Sequence, residues 1–125
     1  MTRNDVDTFE KLKAQLDGLH QELSILAKKS PNDAVNEFKI KLINITLSKC
    51  NQLLGKKYLP FIDFEAFSLD EMPSNSDVTF IISQYIECAE KFRSDHIYED
   101  YGWYWKTDGR GDPIPTSQPR KLLAK

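Results

Sequence analysis

The stretch Phe38–Leu54, FKIKLINITLSKCNQLL, has apolar residues on two sides of the helix that its spacing predicts. One set lies together on a helical wheel, and the other set lies on nearly the opposite side. The first set is Phe38, Leu42 and Ile45, and the second is Ile40, Ile43, Leu47, Cys50 and Leu54. Two opposed apolar stripes cannot both be covered by one neighbour. We therefore predict that this helix is sandwiched, either inside one chain or between two chains.

The segment before this helix repeats apolar residues at heptad spacing. Its Phe and Leu residues follow one another at steps of three and four, which is typical of a coiled coil or a narrow bundle contact: Phe9, Leu12, Leu16, Leu19, Leu23 and Leu26. The break KKSPND is short, so we expect an antiparallel hairpin, with Ser30 capping a second helix that runs from about Pro31 to Leu54. Self-association is assigned to six residues of the hairpin: Leu16, Leu23, Ile40, Ile43, Leu47 and Leu54.

A third helix is predicted to begin near Asn75 or Ser76, with an apolar stripe that runs from Val78 to His96. The expected fold class is therefore all-α, a helical hairpin plus a third helix in a small bundle. An aromatic-rich irregular loop and a C-terminal tail are expected to close this bundle. We predict a single helical domain over residues 1–106 and an irregular, flexible tail over residues 107–125.

The stretch Tyr98–Pro113, YEDYGWYWKTDGRGDP, concentrates aromatic residues just after the third helix. One interpretation is that these rings fold back over the open end of the bundle, because removing the apolar surface of two tryptophans from water is strongly favourable. The other is a partner-binding surface, since Tyr and Trp are favoured at interfaces. As candidate partner-binding residues we name Tyr101, Trp103, Tyr104 and Trp105, together with Phe61 and Phe64.

Charge along the chain is uneven, although the 125 residues carry a formal net charge of only −2. Residues 58–101 contain ten acidic residues and two basic ones, a balance of −8. Because a phosphate backbone attracts clustered Lys and Arg, this pattern makes nucleic acid an unlikely partner and favours a basic protein. No apolar run is long enough to cross a bilayer. Charged residues near the start and the two isolated cysteines lead us to expect a cytoplasmic protein.

One short motif points to metal chemistry. Glu87 and Glu90 resemble the E-x-x-E pairs with which some all-helical nucleotide pyrophosphatases hold Mg²⁺. The second carboxylate pair of those enzymes is not evident, and both residues are predicted to point away from the buried face into solvent. His96 lies on the apolar stripe and is expected to be partly buried and hydrogen-bonded. We therefore predict no catalytic residue, no metal and no cofactor.

The leading hypothesis is a non-enzymatic protein-interaction protein, a small adaptor, regulator or inhibitor that acts as a homodimer. A more specific version is an immunity-type protein whose acidic region binds a basic target. Two alternatives stay open. One is a metal-dependent nucleotide hydrolase that uses Glu87, Glu90 and Asp95. The other binds single-stranded nucleic acid by stacking bases on Trp103 and Trp105.

Overall fold

A computed structural model describes residues 1–120, which form three helices and a small sheet; residues 121–125 of the predicted tail lie outside the described part. The helices are α1 (Arg3–Lys29), α2 (Glu37–Leu54) and α3 (Asn75–Asp95), and the strands are β1 (Ile97–Glu99), β2 (Trp103–Trp105) and β3 (Pro115–Thr116). Single 3₁₀ turns occur at Lys56–Tyr58 and Leu69–Glu71. The helical bundle agrees with the sequence prediction, but the antiparallel sheet makes the all-α class partly wrong.

Each helix begins at a polar side chain that accepts a hydrogen bond from the first turn. Thr2 and Asp5 form a capping box at α1. The side chain of Asn36 accepts from the backbone N–H of Lys39 at 2.8 Å, so the N-cap of α2 is Asn36. It lies six residues after Ser30, the cap that the sequence predicted. Ser74 caps α3 by accepting from the N–H of Asp77.

The hairpin connection between α1 and α2 is ordered by the start of α3. The Val35 N–H donates to the carbonyl of Pro73 at 2.9 Å, and the Asn75 N–H donates to that of Asp33 at 2.8 Å. The buried Asn75 side chain also donates to the Ser30 carbonyl at 2.9 Å. These long-range bonds satisfy backbone groups of the connection outside a helix, which explains why it does not continue α1 into α2.

The core lies between the heptad side of α1, one stripe of α2 and the apolar face of α3. All six residues that the sequence analysis assigned to self-association are buried here, within the single chain: Leu16, Leu23, Ile40, Ile43, Leu47 and Leu54. α1 packs along α3 more extensively than along α2, so the third helix covers the side that a second copy was expected to cover. These six side chains therefore form no free surface, which corrects their assignment.

The other stripe of α2 is exposed. The side chains of Phe38, Leu42 and Ile45 are 71, 46 and 52 % exposed. We call these three residues the outer stripe. The expectation that both sides of α2 are covered is therefore not met within one chain.

The sheet has the order β1-β2-β3, and both pairs are antiparallel. Ile97 lies opposite Trp105, and Trp103 lies opposite Thr116. The predicted tail thus supplies the third strand of the sheet. Residues 115 and 116 are part of the fold instead of a flexible extension, because β2 offers them a paired edge.

Candidate protein-interaction surfaces

The two tryptophans of the aromatic cluster pack inward at the end of the bundle. Trp105 is buried, its ring lies 5.1 Å from that of Phe9, and its indole N–H donates to Glu10 at 3.3 Å. Phe9 in turn stacks on Phe92 of α3 at 5.6 Å. Trp103 is half-buried against the same core. Trp105 therefore offers no ring face to a partner or to a nucleobase.

The tyrosines of the cluster are arranged differently. The ring of Tyr104 lies 5.8 Å from that of Tyr98 on the opposite strand, as cross-strand neighbours do. Tyr101 occupies the turn between β1 and β2 and is fully exposed. Its φ of 56° is in the left-handed region, which is rare for a bulky residue, and Gly102 follows it with φ 152°.

The structure separates the two groups of predicted partner-binding residues. Trp105 packs near the end of α3, where Phe92 lies, whereas Phe61 packs on Phe80 near its beginning, with ring centroids 6.2 Å apart. Twelve residues of helix between Phe80 and Phe92 correspond to roughly 18 Å. The six residues therefore do not form one surface.

Glu90 was expected in solvent, but it is 3 % exposed and forms a two-pronged ion pair with Arg93. The Arg93 guanidinium donates to its two carboxylate oxygens at 2.9 and 2.7 Å. The remaining guanidinium hydrogens are donated to the hydroxyl of Thr116 and to the carbonyls of Ser117 and Gln118. The backbone N–H of Arg120 donates to Glu90 at 2.9 Å. This network, which we call the clasp, holds the end of the described chain against α3.

Burial alone would raise the pKa of Glu90, but the hydrogen bonds and charge of Arg93 and the Arg120 N–H outweigh it, so the pKa is lowered. Glu87 and Asp95, the other carboxylates of the alternative hydrolase hypothesis, have separate partners. Glu87 pairs with Arg120 at 3.4 Å, and Asp95 accepts from Tyr58 at 2.8 Å and from Lys91 at 3.2 Å. Across residues 1–120, no group of three or more His, Cys, Asp or Glu is arranged to hold a metal ion.

A cleft of about 870 Å³ lies between α1 and the segment that the clasp holds. Its charged groups pair with one another. Lys13 bonds Asp17 at 2.8 Å, and Arg93 bonds Glu90 at 2.7 Å. All five N–H groups of the Arg93 guanidinium donate to acceptors among the described residues, so Arg93 offers no free donor to a ligand in the cleft.

His96 and Cys50 have structural environments. The His96 ring stacks on Phe92 at 4.1 Å and its Nδ1 lies 2.6 Å from the Phe92 carbonyl, so it is half-buried and hydrogen-bonded as predicted. Burial raises the pKa of the Cys50 thiol to about 12. A thiol with so high a pKa is a poor nucleophile at neutral pH.

The loop from Leu59 to Pro73 is fixed on α2 by two asparagines. Asn44 exchanges two hydrogen bonds with the backbone of Phe67, at 2.8 and 2.9 Å. Asn51 donates to the Glu65 carbonyl at 3.2 Å and accepts from the Tyr85 hydroxyl at 2.6 Å. Neither asparagine was among the residues predicted from the sequence to have a role. The available signal was two amides seven residues apart, on one flank of a helix that precedes an apolar loop.

This loop and α3 together form an open depression of about 680 Å³. We call it the aromatic pocket; its lining residues are Pro60, Phe61, Ile62, Asp63, Phe64, Phe80 and Ile81. The side chains of Ile62 and Phe80 are 90 and 55 % exposed. Phe64 is half-buried, with its ring 5.0 Å from that of Phe67, and packs against the hydrophobic core. A monomer rarely leaves such adjoining apolar groups in water.

One carboxylate lines the aromatic pocket and a second lies near it on α3. Asp63 lines it, and Asp77 lies one turn before Phe80 and Ile81 on α3. Both basic residues of the acidic region, residues 58–101, form ion pairs: Lys91 with Asp95 and Arg93 with Glu90. Within the described part of the chain, seven carboxylates of this region take part in no ion pair: Asp63, Glu65, Asp70, Glu71, Asp77, Glu99 and Asp100. The region therefore presents net negative charge to solvent.

The outer stripe of α2 lies among cations. Lys41 and Lys49 are exposed, and neither takes part in an ion pair among the described residues. Lys39 is held by Glu22 at 2.8 Å. On the helical wheel Lys49 continues the line of Phe38 and Leu42, and Lys41 flanks it. The surface of α2 is therefore apolar and basic, whereas the aromatic pocket is apolar and acidic.

Comparison of this chain with family models, with curated proteins and with solved structures found no match. None of the helices within residues 1–120 has the length and apolarity that crossing a membrane requires.

Proposed function

We propose that this chain is a non-enzymatic protein-interaction protein, a small adaptor, regulator or inhibitor that binds a basic, partly apolar segment of a protein in its aromatic pocket. The observation that carries the proposal is the exposure of Phe80 and Ile62, 55 and 90 %, in a depression bordered by carboxylates. Phe61 and Phe64 remain part of this site. Trp105 is not part of this site, because its ring is buried.

The chemistry of the pocket selects the class of partner. Burying a partly exposed aromatic ring is favourable by roughly 25 cal/mol per Å² of apolar surface removed from water. An amphipathic helix presents such surface at positions i, i+3, i+4 and i+7, which suits an open depression. Because Asp63 and Asp77 have no cation within the described chain, a segment with Lys or Arg beside its apolar residues is favoured over an acidic one.

Self-association is also part of this proposal, with a different surface from the one predicted. The residues first assigned to it are core residues, so a dimer contact would have to use exposed groups such as the outer stripe. The cytoplasm remains the proposed location, since the buried thiol of Cys50 is typical of proteins in reducing compartments.

The proposal is tested by selecting binders from a displayed library of random 16-residue peptides. We expect the selected peptides to combine Leu, Phe or Trp with Lys or Arg, and their affinity to fall at least tenfold between low and about 0.5 M salt. Phe80→Asp should abolish binding. Phe38→Asp is the matched control, because it places the same charge on an exposed Phe outside the pocket, and it should bind these peptides normally.

Two results would contradict the proposal. One is a set of acidic or purely apolar peptides that bind equally well at high salt. The other is peptides that bind Phe80→Asp as well as they bind the wild-type chain, since their site would then lie elsewhere.

A further inference from the structure

We infer that the partner segment of the aromatic pocket is the outer stripe of α2 in a second copy of this chain. This inference rests on the proposed function, because it names the occupant of the same pocket. The outer stripe has the pattern that the pocket favours: Phe38, Leu42 and Ile45 follow at i, i+4 and i+7 on a helix, with Lys41 and Lys49 beside them.

Charge complementarity selects this pairing. Lys41 and Lys49 have no anionic partner in the described chain, and Asp63 and Asp77 have no cationic one. Docking the stripe of one copy in the pocket of the next brings opposite charges around a shared apolar centre. Both surfaces are exposed in the single chain, with Phe38 at 71 % and Phe80 at 55 %, so neither covers the other there.

Pairing of like surfaces is disfavoured by the same charges. A two-fold contact of the outer stripe with itself, centred on Leu42, would set Lys41 beside Lys41 of the partner subunit. A two-fold contact between two pockets would bring the Asp63 and Asp77 carboxylates of both copies together. Like charges in a desolvated contact oppose association.

The size of the contact sets its strength. A stable interface buries about 800 Å² on each partner, and one helical stripe offers less than that. We therefore expect weak association that is visible only at high protein concentration and weakened by salt. Each contact uses the stripe of one copy and the pocket of the other, so a pair joined by one contact still has one free stripe and one free pocket.

The test uses sedimentation velocity of the full chain up to about 1 mM. Wild-type chain should associate with increasing concentration. Phe38→Asp and Phe80→Asp should each be monomeric, since each removes one half of the contact. An equimolar mixture of the two variants should associate again, because the intact pocket of one meets the intact stripe of the other. Leu42→Lys and Ile62→Asp form a second pair with the same expected behaviour, and far-ultraviolet circular dichroism checks that all four variants fold.

Several outcomes would overturn the inference. If Phe80→Asp still associates, the stripe pairs with itself; if Phe38→Asp still associates, the pocket does. A wild-type chain that stays monomeric throughout, or a mixture that is no more associated than its components, also overturns it. The peptide selection is independent of these results. Peptides that bind the pocket of a chain that does not self-associate would retain the proposed function and remove only the second copy as its partner.

Discussion

The carboxylate of Glu90 accepts three hydrogen bonds, two from Arg93 and one from the backbone of Arg120. The two side chains are three residues apart on α3, and that spacing favours their contact. Residues 115–120 pack over this pair, and the Thr116 hydroxyl and two carbonyls of this segment accept the remaining guanidinium hydrogens. A sequence pattern on one helix cannot reveal this burial, because it depends on chain that lies 25 residues further on.

We predict that Glu90→Gln lowers the free energy of unfolding by about 3 kcal/mol at pH 7, since it leaves the buried Arg93 charge without its counterion. The pKa of Glu90 is lowered on folding, so its stabilising contribution is present above the ordinary value of 4.5 and is lost as the pH falls through the folded value. In urea unfolding, the difference in free energy of unfolding between wild type and variant should therefore be smaller at pH 3 than at pH 7. An equal gap at both pH values would contradict this assignment.

Tyr101 is fully exposed and has φ 56°, a conformation that disfavours bulky side chains by about 1 kcal/mol. Glycine adopts it without strain, and the exposed ring contributes no packing. We predict that Tyr101→Gly leaves the free energy of unfolding unchanged or raises it by up to about 1 kcal/mol. Tyr104→Gly is the control, and it should lower stability because it removes the ring that packs on Tyr98. Destabilisation by Tyr101→Gly of more than about 1 kcal/mol would show a structural role for the ring.

At the scale of the element, α2 has leucines on both of its sides in one helix. Leu47 is buried and Leu42 is 46 % exposed. We predict that Leu47→Ala lowers the free energy of unfolding by about 3 kcal/mol through a core cavity, and that Leu42→Ala lowers it by less than about 1 kcal/mol. Both variants replace Leu by Ala within the same helix, so helix propensity changes equally in the two. The difference between their free energies of unfolding, measured in urea at low protein concentration, therefore reports the difference in side-chain packing. Equal losses would mean that the outer stripe is covered.

Helices α1 and α3 were predictable because apolar residues recur at helical spacing over almost twenty positions in each, although the cap of α3 is Ser74 and not the predicted Asn75 or Ser76. The two apolar sides of α2 were also predictable, but the sequence did not show which of them faces the core. That choice follows from α3 packing against α1, a contact between distant segments. The strands are two or three residues long, too short for an alternating pattern, and β3 contains Pro115. Phe61 and Phe64 were identified as candidates, whereas Phe80 was not, because it lies on the side of α3 that faces away from the apolar stripe.

At the scale of the whole molecule, the sheet and the clasp connect the end of the described chain to both long helices. Trp105 packs on Phe9 of α1 and bonds Glu10, while Arg93 of α3 holds residues 116–118. Arg3 at the start of α1 donates to the carbonyl of Asp112. The contacts with α1 join segments more than 90 residues apart in the sequence, so the sheet is tied to the helical core at several points.

We therefore predict one cooperative unfolding transition. In urea, circular dichroism at 222 nm follows the helices and tryptophan fluorescence follows the sheet, and the two should give the same midpoint. Trp105→Phe, with Trp103 as the remaining fluorophore, should shift both signals together to lower urea, because the Glu10 bond and part of the contact with Phe9 are lost. A fluorescence transition that precedes the loss of helix would contradict this coupling, since it would show that the sheet and clasp detach from an intact bundle.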